Sequence, residues 1–369
     1  MNDTNIKKKP MLNYINVFRG IAIILILMAH TMQFGEAGSI EKYISFEIFA
    51  GGTALFVFIA GYLFQYLSYK FEYKNYLKKK WQNVIIPYFI TSIPGIIACL
   101  TIPNIYKNPF DGMNIFAQIG IFITTGRVHN VPTWFMPMIT IFFILSALLL
   151  YLERKNILYK LLPLLLLVTI FVPRGDIEPD WVMNLDYTGR YIAYLKYVLM
   201  GFVHFASCYV LGMYFSKYGE MIDKFYDKRY LLIFLMVLVS AFDVFLGIKY
   251  NVMNGTASKL LLTVIALAYL KHYDEKIKSM TKFNKFMDIT AKYSFGLFFV
   301  HWYYVFLFNY IFKLAPSIPV DGLLNGVAVF FISASRLVTV FVLSFLTLYL
   351  MKKGLEKLGV KNTRTFTGV

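Results

Sequence analysis

Phe18–Met32 reads FRGIAIILILMAHTM. The run is apolar and long enough to enter a lipid bilayer, yet it opens on Arg19 and carries His30 well inside it. A pure anchor needs neither. An ionisable side chain in a membrane helix costs a few kcal/mol even on lenient insertion scales, so such groups are usually functional.

The rest of the chain supplies the setting for that helix. Of 369 residues 58% are apolar, 18% aromatic and 15% charged, whereas a soluble domain carries roughly a quarter charged residues. Apolar blocks recur along the whole length at about 17–25 residues each, the span of a bilayer core. The expected fold is all-α: a polytopic membrane helix bundle of about ten spans, near 15–34, 48–67, 83–102, 133–152, 157–172, 193–215, 231–248, 257–271, 292–312 and 325–351. One domain, 1–369, is expected, with basic cytoplasmic tails at 1–14 and 352–369.

The net charge of +17 sits between the apolar blocks, not on a soluble patch, so it reads as topology and excludes nucleic acid as a partner. Connections on the side of the N-terminus hold about three times as many Lys and Arg residues as those on the other side. That bias places both termini in the cytoplasm. Met113–Gly126 is apolar but short, and counting it as a crossing would invert the bias, so it is expected at the outer interface. Two outer loops stand out: RGDIEPDWVMNLDYTGR (Arg174–Arg190), either a solvated loop or a contact for a hydroxyl-rich ligand, and the polar, turn-rich KYNVMNGTAS (Lys249–Ser258). Cys99 and Cys208 lie in apolar spans and suit neither a disulfide nor a metal site. No metal is expected. The N-terminal apolar run lacks a small-residue cleavage site after it and reads as a retained helix.

Arg19 and His30 are eleven residues apart, about three helical turns, so they share a face and stand roughly 16 Å apart along the axis. A guanidinium can hold an anion in a fork of donors, and a neutral imidazole can take a proton from a hydroxyl. The bland alternative is that Arg19 snorkels to the headgroups while His30 bonds a backbone carbonyl. Four further stretches bear on the choice. GGTALFVFIAGYLF (Gly51–Phe64) has the small residues for close helix approach. LKKKWQNVIIPYF (Leu77–Phe89) offers Lys79 and Lys80 to phosphate groups. HNVPTWFMPMI (His129–Ile139) brings Trp134 to the outer surface. YSFGLFFVHW (Tyr293–Trp302) sets Ser294 and His301 seven residues apart, again on one face.

In this order the five stretches resemble the acyltransferase-3 family of integral-membrane O-acyltransferases, closest to its sugar and polysaccharide O-acetylase branch. The arginine–ten residues–histidine pattern falls on Arg19 and His30, the small-residue helix on LFVFIAGYL, the basic approach to Pro-Tyr on KKKWQNVIIPY, the Trp-Phe on TWFMP and the late Tyr-Ser–His on YSFGLFFVH. The resemblance implies a ten-helix enzyme of the bacterial plasma membrane. It would pass an acyl group, acetyl by preference, from acyl-CoA inside to a hydroxyl of a cell-surface or lipid-linked glycan. It implies His30 as the base with Arg19 as its partner, and Lys79, Lys80 and Arg19 on the donor phosphates. Trp134, His301, Ser294 and Arg336 are the acceptor-side candidates; Arg336 could instead pair with Asp243 or Asp288 as packing. Where many members carry a further basic residue before the Pro-Tyr, this chain has Gln82, Asn83 and Val84. The rival class is a transporter or flippase for a lipid-linked or acylated molecule, in which buried Arg and His would line a pathway. The expected partners are thus acyl-CoA, a glycan acceptor and the bilayer.

Overall fold

The computed structural model describes residues 10–32, 34–36, 38–102, 108–128, 131–172, 174, 180–311 and 322–369. Lys7–Lys9 of the basic tail, His129, and most of the acidic half of the Arg174–Arg190 loop lie outside the described residues. Among the described residues the fold is all-helical, with no strand. In chain order the helices are α1 (Asn13–Thr31), α2 (Ile40–Phe49), α3 (Gly52–Tyr66), α4 (Tyr73–Lys80), α5 (Ile86–Thr101), α6 (Ile115–Thr125), α7 (Phe135–Ile144), α8 (Ser146–Arg154) and α9 (Leu162–Phe171). There follow α10 (Asp180–Met183), α11 (Tyr187–Lys217), α12 (Glu220–Asp227), α13 (Arg229–Tyr250), α14 (Ala257–His272), α15 (Asp274–Ser279), α16 (Thr281–Phe306), α17 (Gly322–Lys357) and α18 (Arg364–Thr367).

Six helical stretches among the described residues are long and apolar enough to cross a membrane, and the bent pair α7–α8 makes a seventh. The segments α9 and α14 fall short on length, and α16 on its polar first half. Met113–Gly126 forms the short α6, begun by an Asn114 cap on the Phe116 amide (2.9 Å) and ended at Gly126 in the left-handed region. Helices differ in what they face. In α11, 67% of the apolar window is buried, against 17% in α13. The exposed Phe234, Leu238, Phe242 and Phe245 of α13 are side chains suited to lipid.

Small residues fix how closely the central helices approach. A Cβ on Gly61 would stand 2.0 Å from the Tyr209 carbonyl, and one on Gly212 2.1 Å from the Phe58 carbonyl. The α3 and α11 backbones therefore touch, as the small-residue stretch predicts. Gly52 leaves room for Ile26, and Gly20 for Met287. Helix α1 is thus held between α3 and α16, which sets the direction in which Arg19 and His30 point. At the far end a buried ion pair, Lys259 with Glu47 (3.6 Å), ties α14 to α2, with Ser240 donating to Glu47 at 2.8 Å. Such a pair offsets its own desolvation only with extra hydrogen bonds, and Lys259 finds one on the Glu47 carbonyl.

The Lys249–Ser258 loop is pinned: the Asp243 carboxylate accepts from the Asn254 and Gly255 amides (2.8 and 2.7 Å), and the Asn254 side chain donates to the Thr169 carbonyl at 2.9 Å. The basic stretch 352–369 is ordered as well. Helix α17 runs on to Lys357, and Thr363, Thr367, Gly368 and Val369 are buried in the bundle.

Candidate active site

Arg19 and His30 both meet α16. One guanidinium nitrogen of Arg19 donates to the Ala291 carbonyl at 2.9 Å and to Ser294 Oγ at 3.4 Å, while Ser294 Oγ donates to the same carbonyl at 2.8 Å. One turn below, Asn16 donates to the Asp288 carboxylate. Three turns above Arg19, the His30 ring lies 5.3 Å from the His301 ring and 5.2 Å from Trp302. Continuous helix from Asn13 to Thr31 keeps the separation at roughly 16 Å.

The tautomer of His301 follows from its partner. A carbonyl only accepts, so the contact from Nδ1 to the Leu297 carbonyl (2.9 Å) puts a proton on Nδ1. In the neutral ring Nε2 is then an unprotonated lone pair. It is buried and has no hydrogen-bond partner among the described residues. His204 makes the contrast. It too is fully buried, but Nδ1 donates to the Val172 carbonyl (2.6 Å) and Nε2 accepts from Thr256 Oγ1 (2.8 Å).

Between Arg19 and His30 the α1 residues Ala22, Ile23 and Ile26 are buried, as are Leu297 and Phe298 of α16, and Ile26 lies against Gly52 of α3. A cavity of about 880 Å³ opens elsewhere, between α4–α5, α6, α7 and α11; Lys80 stands in its wall with Tyr88, Phe143 and Leu199, but among its described lining residues are neither Arg19 nor His30.

The other candidates fall in separate places. Lys79 is exposed, whereas the Lys80 ammonium sits over the Phe143 ring (4.4 Å) and the Tyr76 ring (5.3 Å). Between Lys80 and α5 the chain makes a π-helical turn, Trp81–Ile85, a feature frequent at functional sites. Ser294 shares a face with His301 but lies at the Arg19 end. Trp134 stacks on Phe205 (6.0 Å) and carries the Arg174 guanidinium 5.8 Å over its ring. Its neighbour Phe135 packs on Phe298 at 5.3 Å. Arg336 meets Asn309 just beyond α16. The two acids considered as its partners are engaged otherwise, Asp288 with Asn16 and Asp243 with the backbone of 254–255. Sequence reasoning passed over Trp302 and Arg174, the latter close enough to act electrostatically on His30. Trp302 directly follows a singled-out histidine. Arg174 opens the loop read as either solvated or a contact for a hydroxyl-rich ligand, without being singled out in it.

A family model described as an acyltransferase domain matches residues 12–351. The chain belongs to the acyltransferase-3 family. The match takes in α1 through most of α17, with Arg19, His30 and His301 inside it and α18 outside. No curated protein and no solved structure matches the chain at a significant level. The acyltransferase-3 chain is therefore a multi-pass membrane acyltransferase whose donor and acceptor have to be argued from its own residues.

Proposed function

We propose that this acyltransferase moves an acyl group, acetyl by preference, from acyl-CoA at the cytoplasmic face to a hydroxyl of a cell-surface or lipid-linked glycan at the opposite face, with His30 as general base. The observation that carries the reading is that Arg19 and His30 meet one helix, α16, at two levels. At the lower level Arg19 meets Ser294. At the upper level His30 meets His301 and Trp302, with the Arg174 guanidinium over Trp134 near enough to act on His30.

In the proposed reaction the donor phosphates rest on Arg19 and Lys80. The pantetheine arm parts α1 from α16, whose backbones approach closely at Gly20 and Met287 in the resting protein. The thioester arrives at His30. His30 takes the proton of the acceptor hydroxyl as its oxygen attacks the thioester carbonyl. The tetrahedral intermediate collapses, the ester forms, and the CoA thiolate leaves with the proton from His30. The open Nε2 of His301 accepts from a neighbouring acceptor hydroxyl and orients the sugar. A positioned base contributes about 10²–10⁴ in rate. Purified protein in nanodiscs, given acetyl-CoA labelled in the acetyl group and an extracted surface glycan, is expected to produce labelled glycan. The His30→Ala variant should insert and bind CoA but lose about 10³-fold in turnover. Unchanged turnover in that variant would remove His30 from the chemistry, and substrate movement without acyl transfer would make the protein a transporter.

A further inference from the structure

The segment beyond the matched family domain returns to the bundle. Helix α18 packs on α5 and on the π-helical turn Trp81–Ile85. Its end is pinned from within: Thr367 Oγ1 donates to the Thr363 carbonyl at 3.0 Å, and the Val369 amide donates to Thr367 Oγ1 at 3.2 Å. The Thr367 carbonyl lies so close to Gly296 that a Cβ there would stand 2.8 Å away, and Gly368, at φ +74°, lies against Gly296 and Phe295. Gly296 is two residues past Ser294, the residue that Arg19 touches. The hook and Arg19 thus meet the same stretch of α16 from different sides.

Arg364 opens this hook. Its anchor residues are buried, but Arg364 itself is exposed. Helix α18 packs on the π-helical turn that directly follows Lys80, and the hook meets α16 two residues past Ser294, so Arg364 stands on the side of the bundle that holds both Lys80 and Arg19. Asp288, the acid nearest Arg19 on α16, already takes Asn16. Gln82, Asn83 and Val84 bring no charge to the turn that the hook covers. An anion placed among three cations draws on all of them.

We propose that residues 363–369 complete the donor site and that Arg364 binds the 3′-phosphate of the CoA nucleotide; this rests on the acyl-CoA reading above. The order of groups along the donor assigns the contacts. The thioester goes deepest, the diphosphate follows at Arg19 and Lys80, and the 3′-phosphoadenosine stays outermost, where the exposed Arg364 stands. A lipid phosphate offers the same chemistry, so the test uses phosphatidylcholine nanodiscs, which carry no net headgroup charge, with and without added phosphatidylglycerol.

Binding of CoA and of 3′-dephospho-CoA is measured on the full-length protein by calorimetry. Wild type is expected to prefer CoA by about three- to tenfold, the scale of a partly exposed charge-assisted contact. Arg364→Gln should bring that preference close to one while leaving dephospho-CoA binding unchanged, and Arg364→Lys should restore part of it. A lost fold would weaken both ligands alike, so the ratio separates contact from structure. The inference is overturned if Arg364→Gln keeps the wild-type preference. It is also overturned if phosphatidylglycerol competes with wild type and not with Arg364→Gln while the preference stays intact, since the arginine would then read lipid. If wild type binds neither ligand, the acyl-CoA reading fails and takes this inference with it.

Discussion

His204 and His301 are both fully buried histidines in long helices of one bundle, and they do opposite things with their nitrogens. His204 donates to Val172 and accepts from Thr256, so nothing remains for a substrate. His301 gives Nδ1 to a carbonyl of its own helix and leaves Nε2 open, 5.3 Å ring to ring from His30. Burying a polar atom without a partner costs roughly 1–3 kcal/mol. The proposed acceptor role of His301 uses that open nitrogen, whereas His204 is a strut between α9, α11 and the loop before α14. Burial alone does not tell the two histidines apart; the account of their nitrogens does.

The sharpest way to break the comparison is to remove Nε2 alone. Asparagine places an amide where Nδ1 was, so His301→Asn keeps the Leu297 contact and loses the lone pair. Turnover with saturating donor should fall about 10²-fold, within the range for loss of a positioned polar group. His301→Gln, whose amide reaches the Nε2 position, should recover part of it. Equal activity in wild type and both variants would make His301 as structural as His204.

A smaller effect is expected from the seam below the histidines. An ideal Cβ on Gly20 lies 3.6 Å from the Met287 Cα and 3.1 Å from its carbonyl oxygen, so the two backbones are close enough for a cysteine pair to be tried. The Gly20→Cys/Met287→Cys protein, oxidised, should lock α1 to α16 and slow transfer about tenfold, with recovery on reduction; the estimate takes opening of the seam as the step that gates turnover. The two native cysteines are free and buried, so they do not compete readily for the bond. If oxidised and reduced forms turn over alike, the thioester reaches His30 by another route, and the cavity walled by Lys80 is the next to test.

Much of this was legible before the coordinates. Helical periodicity put Arg19 and His30 on one face, and both do meet α16. The glycines of the second apolar block foretold a close contact, found at Gly61 on the Tyr209 carbonyl. Ser294 and His301 share a face as spaced, but spacing along one helix could not say that Ser294 would fall beside Arg19. Composition said less about 352–369, which reads as a basic cytoplasmic tail: its threonines bond within the stretch and its Gly368 fits against Gly296. Nothing local predicts such a contact, because its partner lies some seventy residues upstream. The seam between α1 and α16 was equally hidden: Gly20 and Met287 are ordinary residues until the two helices are laid together.

The smallest effect on activity, and the one that closes the comparison, belongs to His204. His204→Ala strands the Val172 carbonyl and the Thr256 hydroxyl in a buried site. The loss of two buried contacts should cost about 2–4 kcal/mol of stability, seen as a lower midpoint for thermal aggregation in detergent. Transfer per molecule in the monodisperse fraction should stay within about twofold of wild type, since Nε2 and Nδ1 of His204 were already committed and remote changes with no shared partner act independently. A His204→Ala protein as stable as wild type but tenfold slower would reverse the assignment. The open nitrogen of His301 would then be a packing flaw, and the acceptor would be held from the α11 side.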